Sequence, residues 1–447
     1  MNSLIASMEF EPLPLESLSI EPEDINRAIA LSQDIPDESR QWQMYVNSLG
    51  LFTLQKWLEE RDDNLMLNWQ ESTIAQPALA NVIPAITNLH VGEFKVCLIT
   101  LDSVFDEQVI LPRLVVDLPE FIPHFYVLVE VMEEQESGLV QGVLTYQQLI
   151  EKLESSPTIN PQPNWTYEIP LDWFEKDPNL LLLYLRNLEA NAISLPTPSD
   201  RQQQLVAIKN DLVNLLPQLQ SPETELWQVL NWEQGSLILT STDLLDWIYQ
   251  LQTNNLQVEN TTLLQTYLLD LIKIVTQPAL NLGRWLWGEL DELGESLAWE
   301  LFPRLSSVRE LRSPAEEFAA IESQLKTQGI EIPTVGQCGH YNFLLAGNSL
   351  RIYAFAWNSS TEIEPNTWSL FLILGAPTPN RLPNNLKFRV SDRTGILTEQ
   401  QANSQQVNSY LFTTVAGNWD EKFLVTVSIT ERVELTLPPF AFDIQQM

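Results

Sequence analysis

The sequence is poor in the residues from which most catalytic and metal sites are built. It has two cysteines, Cys97 and Cys338, and three histidines, His90, His124 and His340, in 447 residues. Two thiols so far apart exclude a disulfide framework and suit a reducing compartment. With 15 glycines there is little material for phosphate-cradling loops. No Walker loop, dinucleotide fingerprint, serine elbow or kinase signature occurs. Basic residues are scarce as well: 24 Lys and Arg against 59 Asp and Glu give a net charge of -35. Such a surface repels phosphate backbones and anionic headgroups, so neither nucleic acid nor a membrane is expected as a partner. Long apolar runs are missing too. "LLLLYL" (Leu180 to Leu185) and "LFLIL" (Leu370 to Leu374) fall far short of a bilayer span. The first residues, "MNSLIASMEFEPLPLESL", lack the basic and apolar regions of a signal peptide, and a cytoplasmic location is expected.

What is present is a globular composition, 44% hydrophobic and 19% charged, in a chain long enough for two or three domains. Apolar residues at helical spacing (Ile25, Ile29, then Trp42, Tyr45, Val46, Leu49) predict two helices over residues 22–60, parted near Ile35-Pro36-Asp37. From Val91 the pattern becomes strand-like in "EFKVCLITL", "EQVILPRLVVDL" and "FYVLVEVMEEQESGLVQGVLTY", the last a hairpin turning at Glu133 to Gly138. A helix over Gln147 to Glu154, the strand "WTYEI" and a helix from about Pro178 to Glu189 follow. "ISLPTPSD", Ile193 to Asp200, has linker composition. Leu, Ile and Val then recur three and four apart for over a hundred residues, ending in "RSPAEEFAAIESQLKTQG", with Ser313 as a cap and Gly329 as a stop. Beyond Pro333, short strands such as "LRIYAFAW", "TWSLFLILG" and "KFLVTVSIT" alternate with Gly, Asn and Pro. The prediction is an α+β multidomain protein. A small antiparallel sheet or barrel with helices takes residues 1–192, a helical region 199–330, and an antiparallel β-sandwich 333–447.

Four strings carry a family resemblance: "LPRLVVDLPEFIPHFYVLVEVMEEQESGLVQGVLTYQQL", "NLGRWLWGELDELGESL", "LPNNLKFRVSDRTGILTEQ" and "AGNWDEKFLVTVSIT". In this order they resemble the cyanobacterial family catalogued as domain of unknown function eighteen twenty-two, over most of the chain. They are packing and turn patterns, not catalytic signatures. The resemblance implies a cyanobacterial cytosolic protein with a mixed N-terminal domain and a C-terminal β-domain, and brings no activity with it.

The residues offer few chemical constellations. Cys338 and His340 lie two apart in "CGHYNF", a spacing that rarely aligns a nucleophile with its base. His90 and Cys97, seven apart, would point to opposite faces of a strand, which speaks against a zinc site with Cys338 and His340. Glu130, Glu133, Glu134 and Glu136 surround a turn and read as a solvated sheet end. Asp392-Arg393-Thr394-Gly395 reads as a β-turn with Gly395 at positive φ. No metal, cofactor or catalytic residue is assigned.

"NLGRWLWGELDELGESLAWELF", Asn281 to Phe302, is the most conspicuous stretch. On a helix, Leu282, Leu286, Leu290, Leu293, Leu297 and Leu301 share one arc, with an acidic far face. The stripe is expected to fold against this chain, leaving Trp287 and Trp299 as candidate anchors for a partner protein or a second copy. The expected function is therefore a non-catalytic scaffold or adaptor in a regulatory or stress pathway. The alternative is a small-molecule or carbohydrate site on the sandwich at Trp357, Trp368 and Trp419; an unrecognised hydrolase or transferase is the remote one.

Overall fold

Proline and side-chain caps set the first helices. In the computed structural model, which describes residues 16–101, 107–221, 223–253, 261–302, 314–327, 333, 335–377, 381–402, 410–430 and 433–443, helices span Pro22–Ser32 and Glu38–Glu59. Between them Asp37 caps the second, accepting a hydrogen bond from the Arg40 N–H at 3.0 Å. The chain divides into two units: Met1–Arg201 with Leu215–Gln257, and Gln202–Asn214 with Val258–Met447. The helical stretch expected over 199–330 thus contributes helices to both units.

The first unit is built on a six-stranded sheet. Its order is Leu18–Ser19, Ser137–Thr145, Phe125–Met132, Phe94–Leu101, Ile86–Val91, Leu67–Asn68. It is mixed, not all antiparallel as expected, because Phe94–Leu101 and Phe125–Met132 run parallel. A parallel pair needs a crossover of a dozen or more residues. Here the crossover holds the strand Gln108–Pro112, which pairs with Thr166–Pro170, and the helical turn Leu114–Asp117. "LVVD", read as strand, is that turn. Phe125–Met132 is buried along nearly its whole length, as expected of a strand covered on both faces. The helix Glu38–Glu59 supplies Leu49, Phe52 and Trp57 to the cluster with Val96, Leu98, Val127 and Val129 on one face. On the other, Tyr126 donates its hydroxyl to the Val115 carbonyl at 2.7 Å. The hairpin turns at Glu133–Gln135 with Glu136 left-handed, and the helix Tyr146–Ser155 follows with Thr145 and Gln148 forming a capping box.

The second unit holds two antiparallel sheets. One orders Glu300–Leu301, Gln337–Leu345, Asn348–Asn358, Thr367–Gly375 and Tyr410–Asn418; the other orders Ile396–Gln401, Lys387–Ser391, Leu424–Thr430 and Val433–Thr436. A single apolar cluster draws Ile352, Ala354, Leu370 and Leu372 from the first and Phe388, Val390, Val425 and Val427 from the second. The first sheet's opposite face packs Tyr353, Phe355 and Phe371 with Phe318 of the helix Pro314–Thr327. The predicted cap Ser313 and stop Gly329 lie outside the described residues. Helix Thr261–Thr276 meets the second sheet through Asp270, which takes both arms of Arg389 at 2.9 and 3.1 Å and the Ser391 hydroxyl at 2.9 Å. A short parallel pairing joins Leu280–Asn281 to Phe440–Ala441.

The stretch 281–302 is not one helix. It forms helical turns at Leu282–Trp285 and Glu292–Ser296, then the short strand Glu300–Leu301. Gly288 takes φ +81°, a conformation in which the helix cannot continue. Asn281 and Asp291 each cap a new turn, accepting from Gly283 and Gly294 at 3.0 and 2.9 Å. The leucines still face inward: Leu282 is fully buried and the other five pack against the same cluster. The Asp392 turn also differs from expectation. Gly395 is not at positive φ; the Asp392 carboxylate accepts from the N–H groups of Thr394 and Gly395 at 2.8 and 3.0 Å and so closes the turn itself.

Candidate functional site

The tryptophans singled out in the sequence are dispersed by the fold. Trp299 is 2% exposed, its ring 5.1 Å from that of Trp285 and stacked on Tyr341. Trp287 stands out, 62% exposed, on a turn held by its N–H donating to the Arg284 carbonyl at 3.0 Å. Trp368 is fully buried and donates its indole N–H to the Asn418 carbonyl at 2.9 Å. Trp419 is half-buried against that same cluster, while Trp357 packs beside Phe355 on the opposite face of the sheet. Trp357, Trp368 and Trp419 therefore do not form one ligand face: strand alternation separates Trp357 from Trp368.

The chemical candidates do not converge either. Burial pushes the Cys97 and Cys338 thiols well above their ordinary range, so neither is a thiolate at neutral pH. His340 is held below the usual imidazole value by burial, although Glu300 lies 3.4 Å from Nε2. Glu130 is buried and paired with Gln141, apart from the exposed Glu133, Glu134 and Glu136. Among the described residues, no group of three or more His, Cys, Asp or Glu is placed to hold a metal ion. No helix among them is long and apolar enough to cross a membrane.

Polar groups do converge at a cavity of about 340 Å³ in the first unit, which the sequence reading missed. Its walls come from the start of the helix Glu38–Glu59, the loop 80–84, the strand Gln108–Pro112, the loop before Thr166, and the helices Leu226–Val229, Trp232–Leu239 and Thr242–Gln252. Three indoles line it: Trp165, Trp227 and Trp232. Trp165 has a φ of +60°, a left-handed backbone that costs a side-chain-bearing residue of order 1–3 kcal/mol. It is held there by two backbone bonds, its N–H donating to the Gln162 carbonyl at 3.1 Å and its carbonyl accepting from Arg113 at 2.8 Å. The ring meets Trp232 edge to face at 5.6 Å, and Gly235 is required beneath it because a Cβ there would collide with the indole. Arg113 covers one face of Trp232, its guanidinium 4.3 Å from the ring centre.

Charge in the cavity is internally balanced. Arg40 pairs with Glu225 at 3.0 Å, and Trp227 donates its indole N–H to the same carboxylate at 2.7 Å. The remaining polar lining consists of amides and hydroxyls. Asn47, 3% exposed, accepts from Gln43 at 3.1 Å and from the Thr100 hydroxyl, and donates to the Pro84 carbonyl at 3.3 Å. Gln252 donates to the Thr224 carbonyl at 3.1 Å. Asn81, 7% exposed overall, lines the cavity and makes no side-chain hydrogen bond among the described residues, so its amide is left to water or a ligand. A partly strained, indole-lined hollow bordered by an amide free to bond a ligand is the arrangement expected of a binding site. A local signal existed in the paired Trp227 and Trp232, but the other walls are scattered over two hundred residues.

A mixed α+β chain with such a cavity defines a class of architecture and not an activity. The chain belongs to the family described as "Protein of unknown function (DUF1822)", whose pattern matches residues 18–437. No curated protein and no solved structure matches it.

Proposed function

We propose that this protein is a non-catalytic binding protein, an adaptor in a regulatory or stress pathway of the cyanobacterial cytoplasm. It takes a ligand in the cavity of its first unit and docks a protein partner through its second. The observation that carries the reading is the cavity, where three indoles surround amides with hydrogen-bonding capacity to spare. Protonated, buried Cys97 and Cys338 and the neutral ring of His340 support a binding role over nucleophilic chemistry. Partner docking rests on Trp287, a large aromatic 62% exposed on a pinned turn, the kind of side chain that anchors interfaces. The two antiparallel sheets of the second unit read as a β-sandwich, supported by the apolar cluster they share.

The test is affinity purification from the native host of wild type, Trp227→Ala and Trp287→Ala, with retained proteins and small molecules read by mass spectrometry. A protein lost specifically in Trp287→Ala and a small molecule lost specifically in Trp227→Ala are expected. Identical recoveries from all three chains would sink the reading.

A further inference from the structure

We propose that the first unit's cavity binds a neutral polyhydroxylated molecule, a carbohydrate of one or two rings. The inference rests on the cavity being a ligand site, as argued above, and adds the ligand's chemistry.

Size comes first. A hollow of about 340 Å³ lies at the lower end of small-molecule sites, roughly 300–1,000 Å³, which suits a compact ligand better than a nucleotide or an extended peptide. Charge comes next. Arg40 and Glu225, the charged side chains lining the cavity, neutralise each other at 3.0 Å. An ionic ligand would have to compete with that half-exposed pair for one of its members and would leave the other unmatched beside it. A neutral ligand leaves it intact.

The polar lining then selects among neutral ligands. Each amide side chain presents a carbonyl acceptor beside an N–H donor, a pattern that two neighbouring hydroxyls match because each hydroxyl both donates and accepts. Asn81 is buried, lines the cavity, and has both functions free. Gln252 uses an amide N–H on the Thr224 carbonyl, and Asn47 is locked into the Gln43 and Thr100 network. Asn81 is therefore the group with most to gain from a ligand. The indoles supply the complementary half. A pyranose ring presents an apolar C–H face, and Trp227, half-buried and oriented by its bond to Glu225, offers a flat surface for it. An apolar ligand would bury Asn81 still unpaired; a polyol satisfies it.

The full chain is titrated with methyl glucoside, methyl galactoside, maltose and N-acetylglucosamine, and in parallel with glucuronate and glucosamine, reading tryptophan fluorescence and Tm. At least one neutral sugar is expected to give a saturable fluorescence change and raise Tm. Asn81→Leu and Trp227→Phe should each weaken its binding tenfold or more, while Trp287→Ala leaves it unchanged. Since Asn81→Leu also changes a residue packed into the fold, its Tm without sugar checks that the fold is kept; the wild-type Tm rise stands independently of any variant. Tighter binding of a charged sugar than of every neutral one, or saturation that survives both cavity variants, overturns the proposal. So does the absence of saturation by every neutral sugar. If the host purification still returns a small molecule dependent on Trp227, only the carbohydrate assignment falls and the ligand-site reading stands.

Discussion

Each unit buries a polar cluster, and the two clusters are finished differently. In the second unit Asp270, 1% exposed, meets both arms of Arg389 and the Ser391 hydroxyl, with Lys273 at 4.0 Å and Glu399 at 3.7 Å from Arg389. Its hydrogen-bonding capacity is spent inside the fold, and it joins the helix Thr261–Thr276 to the sheet. In the first unit the amides around Asn47 are bonded to one another, but they border a hollow, and Asn81 beside them is unpaired. Polarity that is used up builds structure; polarity with capacity left over, next to space, invites a ligand.

Breaking the saturated cluster should have the largest effect. Asp270→Ala leaves the buried Arg389 with only the longer Glu399 contact in place of its two-armed hydrogen bonds and is expected to cost about 3–5 kcal/mol in urea denaturation. A loss near zero would mean that the pair joins nothing. Asn47→Leu, which strands Gln43 and Thr100, should cost less, about 1–3 kcal/mol. If it cost as much as Asp270→Ala, the contrast between the clusters would fail.

A smaller effect should follow pH. Burial, then the Lys95 charge, holds the His124 pKa below its ordinary value, and Nδ1 accepts the Lys95 N–H at 2.8 Å. The unfolded chain then binds more protons than the folded one at pH values between the two pKa values. His124 thus contributes stability that is fully present above about pH 6.5 and is lost as the pH falls below it. Relief of acidic self-repulsion moves the other way, so the readout is a difference: Tm should fall less on acidification in His124→Gln than in wild type. Equal slopes would remove His124 from the account. The smallest stability change belongs to Trp287→Ala, within about 0.5 kcal/mol, because the ring covers little of the fold. A larger loss would place Trp287 in the core and deprive the second unit of its docking anchor.

Local pattern carried much of the architecture. The hairpin at Glu133, the break between helices near Asp37, the helix after Thr145 and the strands from Gln337 to Thr430 follow from alternation and turn chemistry within a few residues. Features that depend on distant pairing were illegible. The parallel union of Phe94–Leu101 with Phe125–Met132 is decided by the crossover and leaves no local mark. In 281–302 the leucine period correctly predicted which side chains turn inward, yet Gly288 and the caps Asn281 and Asp291 overrode helical continuity. The cavity was hidden because Asn81, Trp165 and Trp227 are each unremarkable alone; the unpaired amide and the left-handed tryptophan exist only in the fold.

The parallel pair Leu280–Asn281 with Phe440–Ala441 sets an order of assembly. The Leu280 N–H donates to the Pro439 carbonyl at 2.8 Å, the Asp443 N–H to the Asn281 side chain at 3.0 Å, and Phe440 and Phe442 are fully buried. During synthesis, residues near 280 leave the ribosome long before residues 439–443 can reach them. At about 5–20 residues per second that interval is on the order of ten seconds. Throughout it the cluster holding Trp285 and Trp299 lacks Phe440 and Phe442, so apolar surface that the finished second unit buries stays open until the last residues arrive.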